Sequence, residues 1–124
     1  MNHWLLIAAL NGFLAVAAGA FAAHGLQGRL DAQAQEIFET GARYQMYHAL
    51  AIGLAAFATQ SAQRAAGIAA WLFLAGIVLF SGSLYLLALT DMRVFAFVTP
   101  FGGLCFLAGW AALGYAALKW KVSQ

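Results

Sequence analysis

The chain has 124 residues, of which 65% are apolar and 8% charged, with a formal net charge of +2. A soluble domain this small exposes much of its chain and carries about a quarter charged residues, so the composition excludes one and leaves lipid as solvent for the apolar surface. Six cations against four acids form no basic patch, which removes nucleic acid as an expected partner.

Every charged residue sits at or between the ends of four apolar stretches. The first runs from Trp4 to Ala23, about 20 residues, the length that spans about 30 Å of hydrocarbon. No Lys or Arg precedes it, so it reads as a span rather than a cleaved leader. Asn11 is its one strongly polar interior residue. Ala8, Gly12, Ala15, Gly19 and Ala23 recur in the small-xxx-small steps that let membrane helices approach closely.

His24-Gly25 ends this span, and 26–30 reads as a turn. Asp31 is the expected N-cap of an amphipathic stretch through Arg43, suited to lying at the membrane interface. Span two follows from Tyr44 to Thr59, either continuing that helix or bending near Gly41. Gln60 to Ala65 is a polar turn. Span three covers Ala66 to Leu89, and Asp91 and Arg93 mark the next turn. Span four is expected to start with Thr99 as N-cap and Pro100 at the first helical position, since proline disfavours helix in the residue before it. The alternative is a start near Val94 with a kink. The expected fold class is therefore an all-α membrane protein, a single domain over 1–124, with four transmembrane helices and an amphipathic interfacial segment between the first and second.

Four spans place Arg64, Lys119 and Lys121 on the side of the termini, the near side. Arg29, Arg43, Arg93 and all four acids fall on the far side. Cations alone balance at three each, so they do not set orientation. The acids tilt the expectation toward cytoplasmic termini.

The threading gathers polar residues in the far leaflet: His24 on span one, Tyr44, Gln45 and His48 on span two, Ser81, Ser83 and Tyr85 on span three, and Thr99 on span four. Tyr44 and His48 share a helix face, as do Ser81 and Tyr85. Unpaired polar groups are costly in hydrocarbon, so a network is expected. It either holds the helices together or accepts a lipid head group or small anion, aided by the N-terminus of span four. A homo-oligomeric transporter or channel subunit is the alternative, with Gly12, Gly19, Gly82, Gly102, Gly103 and Gly109 as helix-packing positions. His24 and His48 raise a metal or haem site as a third option, but they lack a ligand spacing such as HxxxH. No catalytic residue, metal or cofactor is assigned, and the lone Cys105 reads as a small core residue.

Four blocks of this sequence are distinctive: Gly19-Ala20-Phe21-Ala22-Ala23-His24-Gly25-Leu26, Tyr44-Gln45-Met46-Tyr47-His48-Ala49-Leu50, Phe80-Ser81-Gly82-Ser83-Leu84-Tyr85, and Thr99-Pro100-Phe101-Gly102-Gly103 with Gly109-Trp110. In this order they resemble the domain of unknown function 423 family, whose eukaryotic relatives are the transmembrane protein 256 proteins. The resemblance covers nearly the whole chain, with Ala22 standing where the family usually has glycine. It implies a small four-helix membrane protein with no assigned activity, and the expected location of such a chain is the bacterial inner membrane, with membrane lipids as its partners.

Overall fold

The computed structural model describes residues Met1–Lys121. The described residues form helices and short connections, with no strand. Helix α1 is His3–His24, α2 is Ala32–Ala58, α3 is Gln63–Gly76, α4 is Gly82–Thr90 and α5 is Val94–Leu118. A π-helical segment, Ile77–Ser81, joins α3 to α4, so Gln63–Thr90 is one rod of 28 residues. Three elements are long and apolar enough to cross a membrane: α1, the α3–α4 rod and α5. The fourth long helix, α2, carries Glu36, Glu39 and Arg43 in its first half.

Asp31 caps α2, its side chain accepting from the Ala34 amide at 2.7 Å. The amphipathic stretch and span two are one continuous helix of 27 residues, with no break at Gly41. The apolar face of that first half is covered by protein. Phe38 is buried between Phe21 of α1 and Tyr85 of α4, and Gly41 faces the Tyr85 ring. At the far end, Asp91 adopts a left-handed conformation (φ 56°) and its amide bonds back to the Leu87 carbonyl, closing α4.

Span four starts earlier than its proline suggests. Helix α5 begins at Val94 and runs through Pro100. The Thr99 hydroxyl donates to the Phe95 carbonyl at 3.2 Å, a side-chain bond inside the turn where proline supplies no amide. The helix N-terminus therefore lies more than a turn beyond Thr99 toward the far side, away from the polar residues it was expected to serve.

Helix α2 packs between α1 and the α3–α4 rod, and α5 packs on the other side of the rod. The core is rich in small residues packed around a few large ones, of which Ile52 and Phe73 are fully buried. Ala51, Ala55, Ala66, Ala69, Ala70 and Ala116 are fully buried, whereas Phe13, Phe97, Phe101, Leu104, Leu107 and Leu118 face outward. Small side chains inside bring backbones together, and bulky ones outside meet the solvent that suits them, hydrocarbon.

Glycine makes two of these approaches reciprocal. Gly76 of α3 faces the Phe106 ring of α5, and Gly109 of α5 faces the Phe73 ring of α3, where an added Cβ would meet ring carbons at 2.7 Å. Gly102 lies against the backbone of Phe80, and Gly41 approaches the Ser81 carbonyl from the opposite side. The π segment is thus held between α2 and α5. Gly12, Gly19 and Gly103 have open space where a Cβ would stand, and Gly82 meets only the Ile77 carbonyl at 4.0 Å. Of the six glycines expected at close contacts, Gly102 and Gly109 are at one within the monomer.

Candidate functional site: a polar cluster around α2

Gln45 stands at the middle of α2 and is buried. Its Nε2 donates to Asn11 Oδ1 of α1 at 3.2 Å, and its Oε1 accepts from the Tyr85 hydroxyl of α4 at 2.7 Å. Asn11 in turn donates to the Ile7 carbonyl at 2.9 Å. The chain Tyr85–Gln45–Asn11–Ile7 runs in one donor direction across three helices, with each amide group used once on each side.

One turn along α2, His48 is also buried. Its Nδ1 lies 2.8 Å from the Tyr44 carbonyl, and the Trp110 indole of α5 donates to its Nε2 at 3.2 Å. A carbonyl only accepts and an indole only donates. The two bonds together define the neutral imidazole with its proton on Nδ1. The ring stacks on Phe106, with centroids 3.5 Å apart and planes 7° from parallel. Both nitrogens are in use, so neither is free to ligate a metal.

The third link joins α4 to α5. The Ser83 and Thr99 hydroxyls lie 2.6 Å apart; since Thr99 gives its one proton to the Phe95 carbonyl, Ser83 is the donor of this bond, and the Phe80 carbonyl, 2.8 Å away, competes for the same proton. Ser81 is fully buried on the π segment and its hydroxyl has no partner among the described residues, while Tyr85, which shares its helix face, turns to Gln45. Tyr44 is partly exposed and contributes its ring, against Phe80 and Phe106, rather than its hydroxyl.

Three residues depart from the expected set, the first being Asn11, which joins it through Gln45. His24 is exposed in the last turn of α1, and among the described residues no side-chain hydrogen bond ties it to the others. Trp110 joins the cluster although the residue is 44% exposed. The polar groups are also not confined to one end of the helices. Ser83 and Thr99 are in the far half, but Gln45 lies at the midpoint of α2, and Asn11 and Trp110 lie on the near side of the midpoints of α1 and α5.

Beside the cluster, Tyr44, His48, Phe80, Pro100, Phe106 and Trp110 line part of an open groove of 640 Å³ between α2 and α5. Its wall is aromatic and aliphatic, with no cation. Among the described residues no group of three His, Cys, Asp or Glu side chains is placed to hold a metal ion.

Three apolar spans, an alanine-rich core and a hydrogen-bonded cluster between helices define a small integral membrane protein of the α-helical class. The chain belongs to the family described as "Protein of unknown function (DUF423)", whose model matches residues 18–103. It is 47% identical to the UPF0382 inner membrane protein YgdD of Escherichia coli, over 94% of this chain and 90% of that one. It is 44% identical to a UPF0382 membrane protein of Haemophilus influenzae over 97% of both chains. Against the UPF0382 membrane protein YwdK of Bacillus subtilis the identity is 40%, over 97% of this chain and 99% of the relative. No solved structure matches the chain.

Proposed function

We propose that this is a non-enzymatic, four-span protein of the bacterial inner membrane whose polar cluster is a structural clamp, with membrane lipids as its surroundings and partners. Helix α2 is the fourth span in this reading. It packs along both α1 and the α3–α4 rod, and a helix lying between two spans shares their depth. The E. coli relative's name includes the inner membrane, which supports that location.

The observation that carries the clamp is the pairing itself. Gln45, His48 and Ser83 each find a partner on another helix, so these three buried side chains are satisfied inside the protein, whereas Gln35 Oε1 and Ser81 Oγ are buried without a partner among the described residues. An anion at the same place would meet no cation and no free helix N-terminus, since α5 starts at Val94. His48→Ala, followed by melting in mild detergent and by native mass spectrometry, separates the two versions. The clamp predicts a lower melting temperature with the same lipid adducts. A variant as stable as the parent overturns it, and lost lipid at unchanged stability supports the anion site instead.

A homo-oligomeric transporter or channel subunit is the second reading. It is favoured by Gly12, Gly19 and Gly103, which have room for a neighbour that the monomer does not supply. A dimeric or larger mass in mild detergent supports it, and a monomeric mass removes it.

A further inference from the structure

The near end of the bundle holds a second groove, of 740 Å³, between the start of α3 and the end of α5. Ala65, Ile68, Ala112 and Tyr115 form an apolar wall, and Arg64 and Lys119 stand at its rim. Lys119 is held there by its own helix, with Nζ 5.5 Å from the centroid of the Tyr115 ring. The two sides of the mouth are tied together. The Ser61 hydroxyl donates to the Lys121 carbonyl at 3.0 Å and accepts from the Lys121 amide at 3.1 Å. The four acidic side chains, Asp31, Glu36, Glu39 and Asp91, all belong to the far end, so none competes for these cations.

We propose that this groove binds one anionic glycerophospholipid, its phosphate between Arg64 and Lys119 and its acyl chains along the apolar wall. Two cations above a hydrophobic slot are complementary to a charged amphiphile. A free phosphate would use the rim and leave the slot unfilled, which is why the lipid is the assigned occupant. The uncapped N-terminus of α3, where Ala62 offers no side-chain acceptor, adds free amides on the same rim. The site requires only that α3 and α5 cross the bilayer. It lies at the opposite end from the turns that carry the acids, and its fate is independent of the clamp at Gln45 and His48.

The test is native mass spectrometry of the full-length protein in mild detergent, titrated with phosphatidylglycerol or phosphatidylcholine of identical acyl chains. The parent is expected to prefer phosphatidylglycerol about tenfold, in line with two cations near a head group. R64Q/K119Q should bring the preference to within about twofold, and R29Q/R93Q, at the far end, should leave it unchanged. Equal binding of both lipids by the parent, an unaltered preference in R64Q/K119Q, or an equal loss in R29Q/R93Q overturns the proposal. Full displacement of the lipid by inorganic phosphate at matched concentration also overturns it. If the double variant loses its helical circular dichroism, K119Q alone is used, with about a threefold loss expected and no loss counting against the site.

Discussion

Trp110 donates its indole N–H to Nε2 of His48 across 3.2 Å, joining α5 to α2, two helices that also meet where Phe106 stacks on the His48 ring. The bond spans the floor of an open groove, so it is the main polar link closing that side of the bundle. Trp110→Phe keeps an aromatic ring in place and removes the donor together with part of the indole's volume. The expected loss is about 0.5–1.5 kcal/mol, the range of interhelical hydrogen bonds in membranes. His48→Ala also removes the ring stacked on Phe106 and leaves a void, so it should cost more, about 2–4 kcal/mol. Reversible unfolding in mixed micelles checks both values and, above all, their order.

The close approach at Gly102 makes a sharper contrast. A Cβ there would run into the backbone of Phe80, which has no rotamer to yield, whereas the adjacent Gly103 has nothing within 4 Å. Gly102→Ala should therefore destabilise by about 1–3 kcal/mol. Gly103→Ala should be neutral or stabilising by up to about 1 kcal/mol, because alanine is the better helix former. Melting temperatures of the two variants, measured side by side, decide this.

In the proposed four-span reading the N-terminus and the Lys119–Lys121 end share one side, and the orientation proposed for it is cytoplasmic. A C-terminal alkaline phosphatase fusion should then be inactive and a C-terminal green fluorescent protein fusion bright. Inserted into the 91–93 turn, the same reporters should give the opposite result. Matching signals at both places would mean that α5 does not cross, and reporters in the 26–30 and 60–62 turns, which α2 alone separates, should disagree in the same way if α2 crosses.

Much of the cluster was legible in the sequence because polar side chains stand out against an apolar helix. Gln45, His48, Ser83, Tyr85 and Thr99 announce themselves in this way, and threading the spans places them together. Trp110 gave no such signal, since an indole in a membrane helix reads equally as a lipid-facing anchor, and only the neighbouring helix reveals its donor. His24 misled for the opposite reason. It ends α1, and one residue of rotation at a helix end decides between the bundle and solvent. The amphipathic stretch before Tyr44 has the same periodicity whether its apolar face meets lipid or protein, and Phe38 and Gly41 settle it only by contacts from α1 and α4. Pro100 favoured a helix start at Thr99. The helix runs through it, with the Thr99 hydroxyl bonding the Phe95 carbonyl one turn back.

The small-residue steps of α1 show a related ambiguity. Ala8, Ala15 and Ala22 are buried, seven residues apart, while Gly12 and Gly19 stay open. The spacing of small residues alone does not say which of two overlapping stripes a neighbouring helix takes.

The central claim is that α2 clamps its neighbours through paired polar side chains, and a double-mutant cycle on the 2.7 Å bond between Tyr85 and Gln45 tests it most directly. Tyr85→Phe, Gln45→Met and the pair together, unfolded reversibly in micelles, should show a coupling of about 0.5–1.5 kcal/mol, with the second substitution costing less once the first is made. Strictly additive losses, or variants as stable as the parent, would contradict the clamp.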